Sequence, residues 1–416
     1  MKIKVYLTAD KSISYDNDGW YINNIQQPHK DGENIENFKE SALNAAYSKI
    51  NKDISNYVAH FKNIAVLTAA GTSMENGNQG GKTRNDLWES YLPEIKAIKS
   101  YLEGKGEYIN ETCKAIIDTK NIEDFLSFTI LYEKLNGPII DDNGKFLRTE
   151  LEKQIVSACK LELDKENSHH QDFLKKLTAR KPSDPRVQLY TTNYDTLFEQ
   201  AANRLNYTVI DGFSFSYPRL FNGNNFDRDI VFRDRTRINQ EESFVPGVIQ
   251  LFKLHGSVDW EKNEDGTITQ KDNIQNPCII YPASEKYESS YEQPYFEMMA
   301  HLQNTLRKEG TFLIVTGFGF QDKHIQNVIR EAVIQNPNFH LLIICFGNSS
   351  YLDENGEEKW GEVGITSTLI PGYLDNENRL LSNVTVLFSK FKKFVEIYPL
   401  NPSYLTDSEP NNYEAF

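Results

Sequence analysis

The chain is 416 residues long, enough for two or three domains or for one large α/β unit with insertions. Its 45 Lys and Arg stand against 59 Asp and Glu, and the net charge of -14 argues against a grip on a nucleic-acid backbone as its main business. Four cysteines, Cys113, Cys159, Cys278 and Cys345, lie far apart with no CxxC pair, which argues against a disulfide framework or a cysteine zinc cluster and suits a reducing cytoplasm.

At the amino terminus, Lys2-Ile3-Lys4-Val5-Tyr6-Leu7 is cut off by Thr8-Ala9-Asp10-Lys11 before it forms a signal-peptide core. The longest apolar runs, Phe312 to Val315 and Leu341 to Phe346, fall short of the roughly 18 residues of a membrane span. The expectation is a soluble, cytoplasmic chain with no membrane role. Residues 1 to 34 read as a short strand or hairpin followed by turns and loop. Ile35, Phe38, Ala42, Leu43, Ala46, Ile50, Ile54, Val58 and Phe61 then recur at helical spacing, so residues 1–60 are read as an N-terminal extension with one long amphipathic helix, able to cover a sheet or face a partner.

Asn63 to Thr68 is a buried-strand candidate that runs into Ala69-Ala70-Gly71-Thr72-Ser73. Small residues after a parallel strand let a phosphate approach backbone N–H groups, although a tight turn in any α/β protein looks the same. Gly80-Gly81-Lys82-Thr83 resembles the end of a Walker loop only superficially, since no strand directly precedes it, and is read as a flexible loop. Helical periods around Leu87, Trp88, Ile95, Phe125, Leu126, Leu151 and Ile155 predict a helical insertion over about 85–180. The adjacent His169 and His170 have no partners at metal spacing and read as a solvated helix end.

Val187 to Thr191 is the next strand, followed by Thr192-Asn193-Tyr194-Asp195 and a helix carrying Leu197, Phe198, Ala201, Ala202 and Leu205. Strand-to-helix turns of this kind are where open α/β sheets bind ligands, and an Asn and an Asp two residues apart can point into one crevice there. A strand over Tyr207 to Ile210 and an irregular excursion from Phe213 to Glu242 follow. Val248 to Leu254 predicts a strand ending at His255-Gly256-Ser257, the position of a catalytic group, although a lone His is more often structural. Phe312 to Val315, the turn Thr316-Gly317-Phe318-Gly319-Phe320, a helix capped by Asp322 and the strand His340 to Phe346 make a βαβ unit, with His324 read as a packed residue. Two glycine turns in one sheet suggest a dinucleotide, with Asn348 placed to hydrogen-bond an adenosine. Weaker strands are expected over Val384 to Phe388 and Val395 to Tyr398, then an acidic tail over 401–416. The fold class is therefore α/β: a Rossmann-like, mainly parallel sheet over 61–400 with a helical insertion.

Taken in order, Ala69-Ala70-Gly71-Thr72-Ser73, Thr192-Asn193-Tyr194-Asp195, Lys253-Leu254-His255-Gly256-Ser257 and Thr316-Gly317-Phe318-Gly319-Phe320 resemble the motifs of the sirtuin family over roughly residues 60 to 350. The likeness is nearest to the sirtuin-like domains of bacterial antiphage defence, which destroy NAD+ rather than deacylate lysine. The cysteine quartet that holds zinc in protein-deacylating sirtuins is missing after His255, and Ala69 stands where the family's Gly-Ala-Gly turn has its first glycine. The resemblance implies a sirtuin-like fold without a zinc module and an NAD+ glycohydrolase acting in abortive infection. It puts Asn193 beside the ribose and the attacking water, Asp195 at the nicotinamide end and His255 at the ribose hydroxyls as general base. Ala70, Gly71, Thr72 and Ser73 would line the pyrophosphate, with Gly317, Gly319 and Asn348 on the adenosine side. By length and layout it also implies a homo-oligomer that assembles with a HerA-type hexameric ATPase. A protein deacylase, a noncatalytic NAD-binding scaffold and a nuclease subunit remain the alternatives, although no carboxylate and metal constellation calls for the last.

Overall fold

The computed structural model describes residues 3–28, 35–77, 80–166, 168–232, 244–279, 293–345, 350–352, 358–360, 370–377 and 379–401. Asn348 and the acidic tail beyond residue 401 lie outside the described residues. Four strands open the chain, β1 (Ile3–Leu7), β2 (Ser12–Asp16), β3 (Gly19–Ile22) and β4 (Ile25–Gln27), followed by α1 (Ile35–His60). The strand β5 (Asn63–Thr68) and the one-turn α2 (Ala70–Ser73) lead into α3 (Arg84–Ser90), α4 (Leu92–Leu102), α5 (Glu107–Thr119), α6 (Ile122–Asn136), α7 (Leu147–Ala158) and α8 (His169–Thr178). Next come β6 (Val187–Thr191), α9 (Leu197–Arg204), β7 (Thr208–Ile210), β8 (Arg219–Leu220) and β9 (Val248–Lys253), then β10 (Gly256–Lys262), β11 (Ile268–Gln270) and β12 (Pro277–Ile279). The chain closes through α10 (Tyr295–Arg307), β13 (Thr311–Thr316), α11 (Lys323–Gln335), β14 (Phe339–Cys345), β15 (Ser350–Leu352), β16 (Glu358–Trp360), β17 (Val384–Phe388) and α12 (Phe391–Ile397).

Eleven of these strands form one sheet in the order β4-β3-β2-β1-β17-β14-β13-β5-β6-β9-β7. From β17 to β7 every pairing is parallel, and the four amino-terminal strands add on antiparallel through β1 against β17. This is the mixed α/β fold with a mostly parallel sheet that the apolar runs predict. Parallel strands are buried on both faces, so their side chains divide between two cores at a period of two. Ala65 and Leu67 of β5 enter one core with α10 and α11, while Ile64 and Val66 enter the other with α1, α8, α9 and α12. The long helix α1 covers the sheet, burying Ala42, Ala46, Ile50 and Ile54. Helices α3 to α7 enclose a separate apolar cluster around Trp88, Ile98, Phe125 and Leu151.

Several local expectations change. The stretch before residue 28 is a four-stranded meander continuing the sheet rather than a hairpin and loop, because its edge pairs with β17 far along the chain, in register at Tyr6 and Leu387. Val395 to Ile397 is the end of α12, with Tyr398 its C-cap, rather than a strand, since Phe391, Phe394 and Tyr398 all pack on Phe173 of α8. A second sheet, β12-β10-β11-β8, carries Trp260 against Phe213. Gly80 and Gly81 are not a free loop end: Gly81 N donates to Ser73 O at 2.8 Å.

His170 is also not solvated. It lies on the buried face of α8 with Phe173, Leu174 and Leu177, its ring between Phe198 and Phe391. Burial, aided by the charge of His169, pushes its pKa down to about 3, and its Nε2 has no hydrogen-bond partner among the described residues. The unfolded chain takes up this proton near pH 6.5 and the folded chain only near 3, so full stability holds above 6.5 and is lost as pH falls below it. From pH 7 to pH 5 this residue should remove about 2 kcal/mol. Urea denaturation of His170→Leu should show a shallower loss over that interval than the parent chain; equal slopes would assign the acid sensitivity elsewhere.

Candidate functional site

Four strands of the parallel sheet stop on one line. Thr316 of β13 is in register with Thr68 of β5, Thr68 with Thr191 of β6, and Thr191 with Lys253 of β9. The four turns singled out in the sequence therefore leave the sheet side by side at its carboxyl edge, where open α/β sheets place ligands. They are bonded to one another: Thr192 N donates to Thr68 O at 3.1 Å, Leu254 N to Thr191 O at 2.8 Å, and Gly71 N to Gly317 O at 3.1 Å. A Cβ on Gly71 would come within 2.6 Å of Gly317 Cα, and Gly317 has φ +69, so both positions need glycine for the turns to touch.

Asn193 is buried where the second turn meets the first. Its Nδ2 donates to Ser73 Oγ at 2.7 Å, Ala69 O at 3.1 Å and Thr72 Oγ1 at 3.2 Å. Ser73 Oγ in turn donates to Asp195 Oδ2 at 2.6 Å, while Asp195 Oδ1 accepts from Leu197 N at 3.1 Å and so caps the start of α9. With the amide nitrogen held by α2, the carboxamide oxygen of Asn193, which has no recorded partner among the described residues, is the atom left for a ligand. His255, also buried, sits at the end of β9 with Nε2 3.1 Å from Asp322 Oδ2.

Beneath the turn lies a buried ammonium. Lys253 is 1% exposed, with Nζ 2.8 Å from Glu199 Oε1 and donating also to the carbonyl oxygens of Asp195 and, at 3.4 Å, Tyr194. Burial works against its charge, but the carboxylates of Glu199, Asp259 and Asp195 outweigh that and raise its pKa above the ordinary lysine value. The Tyr194 carbonyl accepts as well from Val258 N at 2.9 Å, which ties the turn to β10. Gly256 makes this possible: at φ +86 a Cβ there would meet Cys278 O at 2.1 Å.

These groups open on one cavity of about 310 Å³, at the lower end of the roughly 300–1,000 Å³ of small-molecule sites. Ala70, Ser73, Asn193, Asp195, His255, Gly317 and Gly319 all line it. Gly71 and Thr72 do not. Gly71 packs on Gly317, and Thr72 is wholly buried with its hydroxyl on Ala69 O at 2.9 Å. The helical insertion supplies the opposite wall through Leu87, Asn121, Glu123, Asp124 and Cys159, with Lys82 from the glycine-rich segment before it. Burial, then the charges of Asp195 and Glu123, pushes the Cys159 thiol up to about 12, so it presents a neutral, unreactive SH at neutral pH. Asp322 and His324 also line the cavity; the sequence marks Asp322 only as a helix cap, and its place directly after a glycine turn is the signal that points to the site. None of the four cysteines forms a disulfide, and among the described residues no group of three or more His, Cys, Asp or Glu is placed to hold a metal. Among them too, no helix is long and apolar enough to cross a membrane.

Residues 187–367 match the family model described as the SIR2-like domain. That stretch begins at β6 and takes in the turns of Asn193, His255 and Gly317. Among solved structures, one reported for the mechanism and regulation of Sir2 enzymes is similar at 12% identity and a TM-score of 0.37, covering 84% of this chain and 96% of that one. Sir2 bound to an acetylated peptide follows at 10% and 0.33, covering 83% and 95%, and Sir2Tm bound to a propionylated peptide at 11% and 0.33, covering 83% and 95%. No curated protein matches the chain.

The Lys253 cluster yields a stability test. Lys253→Met removes the buried cation that contacts Glu199 and the Asp195 carbonyl, the only one to do so among the described residues, and should cost about 3–5 kcal/mol in chemical denaturation, the scale for orphaning a buried charge. A loss below about 1 kcal/mol, the range of exposed ion pairs, would mean that the network does not hold the turn.

Proposed function

We propose that the chain hydrolyses NAD+ to nicotinamide and ADP-ribose. The observation that carries this reading is the convergence of Asn193, the Ser73–Asp195 pair and His255 on one cavity at the carboxyl edge of the sheet, in a chain with a SIR2-like domain over residues 187–367. In the reaction the bond between ribose C1′ and the nicotinamide nitrogen breaks, and its electron pair goes to that nitrogen and neutralises the pyridinium. Water adds its oxygen to C1′ and gives up one proton. The transition state carries positive charge on the ribose, so acceptor dipoles and carboxylates near C1′ lower its energy. Asn193 Oδ1 would orient the water or a ribose hydroxyl, the Asp195 carboxylate would face the nicotinamide end, and His255 would take the proton. Ala70 and Ser73 would lie along the pyrophosphate and Gly317 and Gly319 along the adenosine side, where Asn348 is also assigned. Gly71 and Thr72 would support the pyrophosphate wall from behind.

We further propose that this activity serves an antiphage abortive-infection system, in the cytoplasm, with the chain as a homo-oligomer assembled on a HerA-type hexameric ATPase. The support is the resemblance of its motifs and its layout, a single large α/β sheet preceded by an extension that runs into the same sheet. A toxic NADase must stay silent until triggered, which makes activity in the assembly exceed that of the isolated chain.

Incubation with NAD+ and chromatography of the products test the reaction. Nicotinamide and ADP-ribose should appear in equal amounts, and Asn193→Ala or His255→Ala should lower turnover on the order of 100-fold or more. Undiminished NAD+ loss in both variants would refute the assignment, and acyl-ADP-ribose from an acylated peptide would indicate deacylation instead. Co-expression with a HerA-type ATPase followed by size-exclusion chromatography should give a joint peak with raised turnover; separate elution would remove the partner.

A further inference from the structure

Asp322 uses both carboxylate oxygens. Oδ1 accepts from His324 N at 2.9 Å and Ile325 N at 3.2 Å, capping α11, while Oδ2 lies 3.1 Å from His255 Nε2. The two residues are 67 positions apart, on the turn after β9 and at the head of α11, and their side chains are only 11% and 10% exposed. Resting on the NAD+-hydrolase reading, we propose that Asp322 is a positioning residue for His255, which fixes the neutral imidazole with its proton on Nε2 and leaves Nδ1 as the base for the substrate's proton.

An ionised carboxylate only accepts, so the neutral ring facing it must present N–H. Although burial pushes Asp322 up, the hydrogen bond from His255, the charge of that ring whenever it is protonated, and the N–H groups of Ile325 and His324 hold it below the ordinary carboxylate range, and it is ionised at neutral pH. The tautomer follows: with Nε2 donating to Oδ2, the lone pair is on Nδ1, for which no hydrogen bond is recorded among the described residues. When Nδ1 takes a proton from the attacking water or a ribose hydroxyl, the imidazolium formed is stabilised by the carboxylate, and the proton leaves to solvent after product release. The cap makes the arrangement rigid. With Oδ1 anchored by two backbone N–H groups, Oδ2 has one direction to point, and it points at His255.

Asp322→Asn tests this without removing the cap, because Asn caps helices as well as Asp does. Its Oδ1 can keep the α11 N–H groups, but its amide then offers N–H to Nε2, makes that nitrogen the acceptor and moves the ring proton to Nδ1. The measurement is nitrogen NMR of the full-length chain with ¹⁵N-labelled histidine, with His255 assigned by the signal lost in His255→Gln. The parent should show a protonated Nε2 and an unprotonated Nδ1, and Asp322→Asn the reverse, with an unchanged thermal midpoint. Turnover of NAD+ by the variant should fall on the order of 100-fold with KM little changed. A parent ring protonated on Nδ1, or the same tautomer in parent and variant, overturns the positioning role. So does a swapped tautomer with undiminished turnover. If the parent fails to cleave NAD+ while the tautomer swaps as stated, the positioning of His255 stands and the proposed reaction falls.

Discussion

Two peptide units in contact hold the site together. Gly71 N donates to Gly317 O, and the backbones approach so closely that neither residue could carry a side chain. The contact joins the turn after β5 to the turn after β13 and so fixes α2, the single helical turn that carries Ser73. Ala69 O, Thr72 Oγ1 and Ser73 Oγ then receive the amide of Asn193, and Ser73 passes the connection on to Asp195. The order of causes is backbone first, side chains second. In many nucleotide folds small residues let a phosphate approach the chain; here Gly71 lets another part of the chain approach, and the cavity-facing surface is left to Ala70 and Ser73.

Behind the cavity wall the anchoring is electrostatic. Lys253 is buried, paired with Glu199, and donates to the carbonyls of the Asn193–Asp195 turn, so a fixed positive charge stands behind a fixed carboxamide and carboxylate. A buried pair of this kind contributes little net stability compared with apolar packing, but it imposes one geometry on the groups it bonds. On the other flank Asp322 does the same for His255 from the head of α11. Under the proposed reaction, which develops charge on a ribose, dipoles and charges that need no rearrangement as the charge develops lower the barrier.

The insertion between β5 and β6 has its own apolar cluster, centred on Trp88, Phe125 and Leu151, and meets the sheet's carboxyl edge across the cavity. Its contribution is a wall rather than a reacting group: Glu123 and Asp124 at the start of α6, and the neutral thiol of Cys159. The helix after it, α8, belongs to the layer that covers the sheet and brings His170 into that core.

Sequence alone determined the parallel strands β5, β6, β9, β13 and β14, because each is an apolar run ended by polar or glycine residues, and it located the four turns because strand ends and helix starts are local signals. It also picked out Asn193, Asp195 and His255 by residue type at those ends. Tertiary structure alone decided what those residues touch. The Asp322–His255 and Lys253–Glu199 contacts span 67 and 54 positions, and no local pattern encodes a hydrogen bond between residues so far apart. The same holds for the three-residue strands β11 and β12, too brief to show a period, and for α12, whose four apolar residues suit a strand until α8 is there to receive a helical face. Periodicity reports which face of an element is buried; only packing decides against what, and the chemistry of this site lies in that second choice.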